Sequence, residues 1–227
     1  MPELPEVETV RRGLAHFLIG YRFTSAADLH PRVLKPASLQ PLAAVVGAKI
    51  KSVNRRGKFL WFELDRDQAL VAHLGMSGQF LVASKDRPAP GHVRARFDLS
   101  KGLKKQELLF SDQRTFGWLS VEELTDGIPQ SALHIARDPF DSAFDRSAVI
   151  AAMKTRKAAI KSVILNQEIM SGVGNIYADE SLWRAKIHPE IPAADLSTRK
   201  ITSLVDAAIE VMAAAIEVGG TSFDAMY

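Results

Sequence analysis

Pro2, Glu3 and Glu6 place an amine and two carboxylates at the very start of the chain. The second residue is small and cyclic, so Met1 is expected to be removed by an aminopeptidase, leaving the Pro2 nitrogen as a terminal secondary amine. A terminal α-amino group has an ordinary pKa of ~8, against ~10.4 for a lysine side chain, so a useful fraction is neutral and nucleophilic at neutral pH. Attack of such an amine on a sugar C1′ or an aldehyde gives an iminium ion, which serves as an electron sink. Glu3 beside it and Glu6 one turn on can shuttle protons. The same residues also suit an ordinary helix start, where proline followed by acidic side chains is favourable.

Four further segments carry chemistry-bearing residues. Arg55-Arg56-Gly57-Lys58 lies between two strand-like runs and puts three cations at a hairpin tip, either as a solvated turn or as a phosphate contact. His73-Leu74-Gly75-Met76-Ser77-Gly78 is a second turn. A lone sheet histidine is commonly structural, but an apolar Met76 on a glycine-flanked turn gains nothing in water and could wedge into a base stack. In Asp112-Gln113-Arg114-Thr115-Phe116-Gly117-Trp118, Arg114 and Phe116 are two apart and point the same way in an extended loop. Arginine can pair with a base edge and phenylalanine can wedge between bases. The alternative is a core Phe116 beside a surface Arg114. In Gly172-Val173-Gly174-Asn175-Ile176-Tyr177-Ala178-Asp179-Glu180, Asn175 reads as the N-cap of a helix. Glycines there would let a phosphate approach free backbone N–H groups. Glu180 and Trp183 read as facing the core.

These groups need rigid carriers. Residues 7–19 read as a helix with Val7, Val10, Leu14, Phe17 and Leu18 on its apolar face, ended by Gly20. A buried helix here would pin Pro2. From Arg22 to about Leu124 the hydrophobic period becomes two, with strand runs at 49–53, 59–64, 69–74, 80–82, 92–99 and 108–110. Short strands separated by turns predict an antiparallel sandwich or barrel. Residues 128–145 contain Pro129 and Pro139, lack a sustained period and read as a linker. Helical stripes follow over 146–155, 157–166, 176–186 and 198–218. The expected organisation is α+β: an antiparallel β-sandwich domain capped by an N-terminal helix over 1–127, a linker over 128–145 and a helical domain over 146–227.

With 227 residues, 47% of them hydrophobic, the chain can bury a substantial core. A net charge of +3 and a pI of 9.2 hint at an anionic partner. The chain has no cysteine, which excludes disulfides and thiolate metal sites. The N-terminus lacks a signal pattern, and no apolar run is long enough to span a bilayer. A soluble cytoplasmic protein is the expectation.

The string Pro2-Glu3-Leu4-Pro5-Glu6-Val7-Glu8-Thr9-Val10 resembles the start of the formamidopyrimidine-DNA glycosylases, bacterial enzymes that remove 8-oxoguanine, and the resemblance runs on to Tyr227. It implies a sandwich domain followed by a helix-two-turn-helix domain. It also implies bifunctional base excision. Pro2 attacks C1′ and displaces the oxidised purine, Glu3 assists sugar-ring opening as general acid, Glu6 helps position the sugar or base, and β- then δ-elimination nicks the strand. By the same resemblance Lys58 contacts the backbone near the damaged nucleotide, and His73, Asn175 and Lys161 contact DNA. Met76, Arg114 and Phe116 would fill the void left by the everted base. Thr221, Ser222 and Tyr227 would lie in the lid over it. Leu4 and the void-filling trio favour this family over endonuclease VIII, the oxidised-pyrimidine enzyme of the same fold, which usually starts Pro-Glu-Gly-Pro.

The expected partner is double-stranded DNA carrying an oxidised purine or abasic site, bound by a monomer in the bacterial cytoplasm, nucleoid-associated when on DNA and without a membrane. The family continues into a zinc ribbon held by cysteines. This chain ends at Tyr227 without any, so no metal or other cofactor is expected in it. A truncated or catalytically impaired lesion-binding form, and an endonuclease VIII-like enzyme, are the alternative readings.

Overall fold

The structure, a computed structural model, describes residues 2–35, 40–83 and 91–219. Its first helix, α1 (Leu4–Leu18), carries Pro5 in its first turn, where the missing N–H costs nothing. It ends before Gly20, whose φ of +88° turns the chain into the first strand. Val7, Val10, Leu14 and Leu18 are buried in one hydrophobic core, as the helical spacing predicts, but Phe17, read onto the same face, is 55% exposed. Leu4 is also fully buried, but in a different core. That is why the helix starts earlier than the 7–19 expected: its first turn serves a second set of neighbours, outside the stripe that begins at Val7.

The strands are β1 (Arg22–Asp28), β2 (Ile50–Arg56), β3 (Phe59–Leu64), β4 (Gln68–His73), β5 (Gly78–Ala83), β6 (Val93–Lys101), β7 (Lys104–Asp112), β8 (Trp118–Thr125) and β9 (Ile128–Pro129). They form a four-stranded sheet ordered β1-β6-β7-β5 and a five-stranded sheet ordered β2-β3-β4-β8-β9. Every named pairing is antiparallel. Alternation sends Phe23, Phe97 and Phe110 from one sheet and Leu60, Phe62 and Leu70 from the other into a common interior. This is the capped antiparallel sandwich that the period-two stretch predicts.

The helices α2 (Arg146–Lys154), α3 (Ile160–Ile164), α4 (Asn175–Ala185) and α5 (Thr198–Glu217) enclose the second core, which includes Ile160, Met170, Leu204 and Met212. Helix α3 is shorter than the 157–166 stripe suggests. The chain before it is used differently: the Ile160 N–H donates to the Ile191 carbonyl and Ala159 bridges Pro192. Between the sandwich and α2, Ile128–Pro129 extend the five-stranded sheet, and Asp138 is 2% exposed. A stretch without hydrophobic period therefore contains a buried carboxylate.

Candidate active site

Glu3 precedes α1 and is 1% exposed. Its own N–H donates to Glu6 Oε2 at 2.9 Å, which locks the two carboxylates into the first turn. Its carboxylate accepts backbone N–H groups from Gly174 at 2.7 Å, Ile176 at 2.9 Å and Tyr177 at 3.3 Å. The N-terminus of α4 thus receives an anion, as its geometry favours. That anion is the protein's own carboxylate rather than the phosphate expected there. The Tyr177 hydroxyl donates to Glu6 Oε1 at 2.7 Å, so both acidic side chains are held by the same turn of α4.

The glycines of this turn have a packing role. A Cβ on Gly174 would lie 2.3 Å from Glu3 Cδ, and one on Gly172, at φ +96°, would lie 2.3 Å from Leu4 Cδ1. They let the start of α1 close on the helical domain, where the Leu4 N–H donates to the Gly172 carbonyl at 3.1 Å. Gly174 itself is the N-cap, and Asn175 is the first helical residue, exposed at the surface. This corrects the expectation that Asn175 caps the helix.

Burial raises the Glu3 carboxyl above its usual range, against the pull of the Ile176, Gly174 and Tyr177 amides and of Lys58. Burial likewise lowers the Lys58 ammonium, and Glu3 and Glu6 oppose that shift. The structure therefore brings Glu3, Glu6 and Lys58 together around the chain start, where Pro2 is half-buried.

Arg55 departs from the three-cation hairpin. Its guanidinium is buried: Nη1 and Nη2 donate to the Asp138 carboxylate at 2.8 and 3.1 Å, and Nε donates to Glu8 Oε2 at 3.1 Å. The Gly57 N–H also donates to Asp138 at 3.1 Å. Arg55 is thus an internal fastener joining α1, the β2–β3 hairpin and the 128–145 segment. Hydrogen bonds from Arg11 and Arg12 and the charge of Arg55 hold the Glu8 carboxyl at about 2 despite its burial. Asp138 and Tyr177 escaped sequence reasoning. Tyr177 lay inside a motif and could have been found; Asp138 had no local signal.

His73 sits at the end of β4, with the Gly75 N–H donating to its Nδ1 at 3.2 Å. The turn after β4 and the loop before β8 are pressed together, since a Cβ on Gly75, at φ +61°, would lie 2.5 Å from the Gly117 nitrogen. Buried Asp112 ties both: it accepts the Gly117 N–H at 2.7 Å, the Arg114 N–H at 3.2 Å and the Ser77 hydroxyl. Met76 is 40% and Phe116 58% exposed, so neither belongs to the core. The Arg114 guanidinium lies 5.6 Å from the Phe116 ring centroid. Two apolar tips and a cation are thereby held outward by adjoining rigid turns.

Lys161 Nζ pairs with Asp179 Oδ1 at 2.7 Å, so its charge is partly spent within the helical domain. Trp183 is 82% exposed and Glu180 is also exposed, against the core placement read from the sequence. The buried face of α4 is Tyr177, Ala178, Ser181, Leu182 and Ala185, which leaves 180 and 183 on the opposite side. Thr221, Ser222 and Tyr227 lie outside the described residues. Among the described residues no group of three or more His, Cys, Asp or Glu side chains could hold a metal ion. No described helix is long and apolar enough to cross a membrane.

Comparison with known proteins gives consistent matches. The model of the formamidopyrimidine-DNA glycosylase N-terminal domain matches residues 1–119, and that of the formamidopyrimidine-DNA glycosylase H2TH domain matches residues 135–226. A formamidopyrimidine-DNA glycosylase from Corynebacterium efficiens is 49% identical over 237 residues, spanning 100% of this chain and 82% of the relative. One from Acidothermus cellulolyticus is 49% identical over 230 residues, spanning 100% of this chain and 80% of the relative. The Lactococcus lactis enzyme bound non-covalently to DNA containing an AP site aligns with a TM-score of 0.87 at 34% identity, covering 98% of this chain and 83% of that one. Its complex with DNA containing FAPY-dG aligns with a TM-score of 0.84 at 33% identity, covering 97% and 82%.

Proposed function

This chain belongs to the formamidopyrimidine-DNA glycosylase family, and on that premise we propose that it is a bifunctional DNA glycosylase and AP lyase of base excision repair, acting as a monomer on double-stranded DNA that carries an oxidised purine or an abasic site. The observation that carries this reading is the Glu3 carboxylate, buried beside Pro2, held by three amides at the N-terminus of α4 and facing Lys58.

Once Met1 is removed, the Pro2 nitrogen lone pair forms a bond to C1′ of the everted nucleotide while the C1′–N9 bond breaks; the purine leaves with that electron pair and is protonated from solvent, and the proton shed by the Pro2 nitrogen passes to the Glu3 carboxylate. Glu3, with its raised carboxyl pKa, gives a proton to O4′ as the sugar ring opens to the iminium ion. Loss of the C2′ proton then expels the 3′ phosphate, and a second elimination expels the 5′ phosphate. Glu6, fixed by the Glu3 amide and the Tyr177 hydroxyl, orients the sugar or base. Lys58 and His73 take the backbone beside the lesion. Met76, Arg114 and Phe116 occupy the emptied stack, and Asn175 and Lys161 bind more distant phosphates. The 1–127 domain supplies the reacting groups and the 146–227 domain the grip, with 128–145 between them.

The chain has no cysteine, and its described residues do not fit a structural zinc. The test is reduction with borohydride on duplex DNA bearing 8-oxoguanine opposite cytosine, or an abasic site. A covalent adduct that vanishes in Pro2→Gly is expected, and intact mass should show Met1 absent. An adduct with abasic DNA alone would restrict the activity to the lyase, and no adduct with either would overturn the reading.

A further inference from the structure

His73 stands in a cross-strand row with two aromatic rings. Phe59 of β3 pairs with His73 of β4, and His73 pairs with Trp118 of β8. Directly opposed residues of neighbouring strands share one face of a sheet, so the three side chains meet. The Trp118 ring is nearly parallel to the imidazole, at 13° with centroids 5.8 Å apart, and the Phe59 ring meets it edge-on at 5.2 Å. Trp118 is itself held by Lys35, whose Nζ lies 4.8 Å from the ring centroid and also pairs with Glu122 at 3.7 Å.

The remaining freedom of the imidazole is rotation within its slot, and the Gly75 N–H removes it by donating to Nδ1 at 3.2 Å. A nitrogen that accepts carries no proton, so a neutral ring must bear its hydrogen on Nε2. Nε2 has no hydrogen-bond partner among the described residues. The charged group that acts on the ring is Lys58. Burial first, and then that cation, push the imidazole down to about 4. Lys35 lies beyond Trp118, its charge shared with Glu122, and no described carboxylate pairs with the ring.

We propose that Trp118 and the Gly75 amide are positioning groups that hold His73 as a neutral imidazole presenting Nε2–H to a DNA backbone phosphate. The ligand rests on the glycosylase reading above; the tautomer does not. The distinction has a measurable consequence. A cation that neutralises a phosphate releases counterions and steepens the salt dependence of binding, whereas a neutral donor adds a hydrogen bond and leaves that slope alone.

The experiment uses the full chain and a duplex containing a tetrahydrofuran abasic analogue. Imidazole nitrogen spectra of the free protein should show the Nε2–H tautomer from about pH 5.5 to about pH 8. An imidazolium or an Nδ1–H form in that range would overturn the assignment. His73→Ala should weaken binding about tenfold, the scale of a hydrogen bond to a charged group, with the salt slope unchanged. A slope reduced by about 1 would mark a cationic contact and overturn it. Trp118→Leu should lose as much affinity as His73→Ala, and the double variant no more than either. Trp118→Phe should keep wild-type affinity. Additive losses from Trp118→Leu and His73→Ala would reduce Trp118 to a fold element and defeat the positioning role. Failure of the unmodified chain to bind the duplex would remove the phosphate, and so the glycosylase reading, while the nitrogen spectra still decide the tautomer.

Discussion

The Glu3 carboxylate accepts a 2.7 Å hydrogen bond from the Gly174 N–H, across 171 positions of sequence. The contact leaves no room for a side chain, since a Cβ at 174 would lie 2.3 Å from Glu3 Cδ and 2.5 Å from Oε1. The far end of Glu3 can give way more easily than the helix. Gly174→Ala should therefore displace the carboxylate and slow single-turnover adduct formation by about 100-fold, the scale of a 1 Å misplacement. Its stability should fall by only about 1–3 kcal/mol. Trapping at the wild-type rate would show that the amide cradle does not set the position that matters.

Asp138 offers a test of packing rather than chemistry. Its carboxylate binds the buried Arg55 fork and the Gly57 N–H together. Asp138→Ala should cost about 3–5 kcal/mol in urea unfolding, because it takes the bidentate carboxylate from a buried guanidinium and leaves it only Glu8 and the Gly57 carbonyl. A paired Arg55→Leu, Asp138→Leu variant should recover part of that loss. A single variant as stable as wild type would mean that solvent reaches Arg55.

Acid should loosen the same network. The folded Glu8 carboxyl is held at about 2, below the ordinary 4.5. As pH falls through that window the unfolded chain takes up the proton first, so the stability supplied by Glu8 is complete above about 4.5 and drains away toward about 2. Glu8→Gln should be less stable at neutral pH and show a flatter acid limb. Identical acid-unfolding profiles for the two proteins would contradict this.

The outward tips should behave oppositely to Asp138. Met76 and Phe116 are exposed, and their removal strands no buried polar group. Met76→Ala with Phe116→Ala should change stability by less than about 0.5 kcal/mol per site. Affinity for a duplex bearing an abasic analogue should weaken about tenfold, within the range of lost base–aromatic stacking. A melting temperature lowered in step with affinity would assign these side chains to the fold instead.

Much of the fold was written locally. Phe59-Leu60-Trp61-Phe62-Glu63-Leu64 shows the run and the flanking turn that make β3, and its bounds match. The α1 stripe from Val7 was equally plain, but its first turn was not, because Leu4 answers to a core assembled from residues 149–216. The Gly-x-Gly turn marked the right place for a partly different reason. Spacing shows that something approaches closely there; it does not show that Glu3 and Leu4 do. Arg55 read as a surface cation because its partner is 83 positions away in a segment without pattern. Side-chain identity and period travel along a chain, whereas pairing across it appears only on folding.

Leu4 and Val7, nearly one turn apart on α1, are socketed in different interiors. Tilting one half of the molecule away from the other would pull this helix out of one of its two interiors. Parting the two halves would strip one of these side chains of its burial, at a cost of about 1.5–3 kcal/mol for each one exposed.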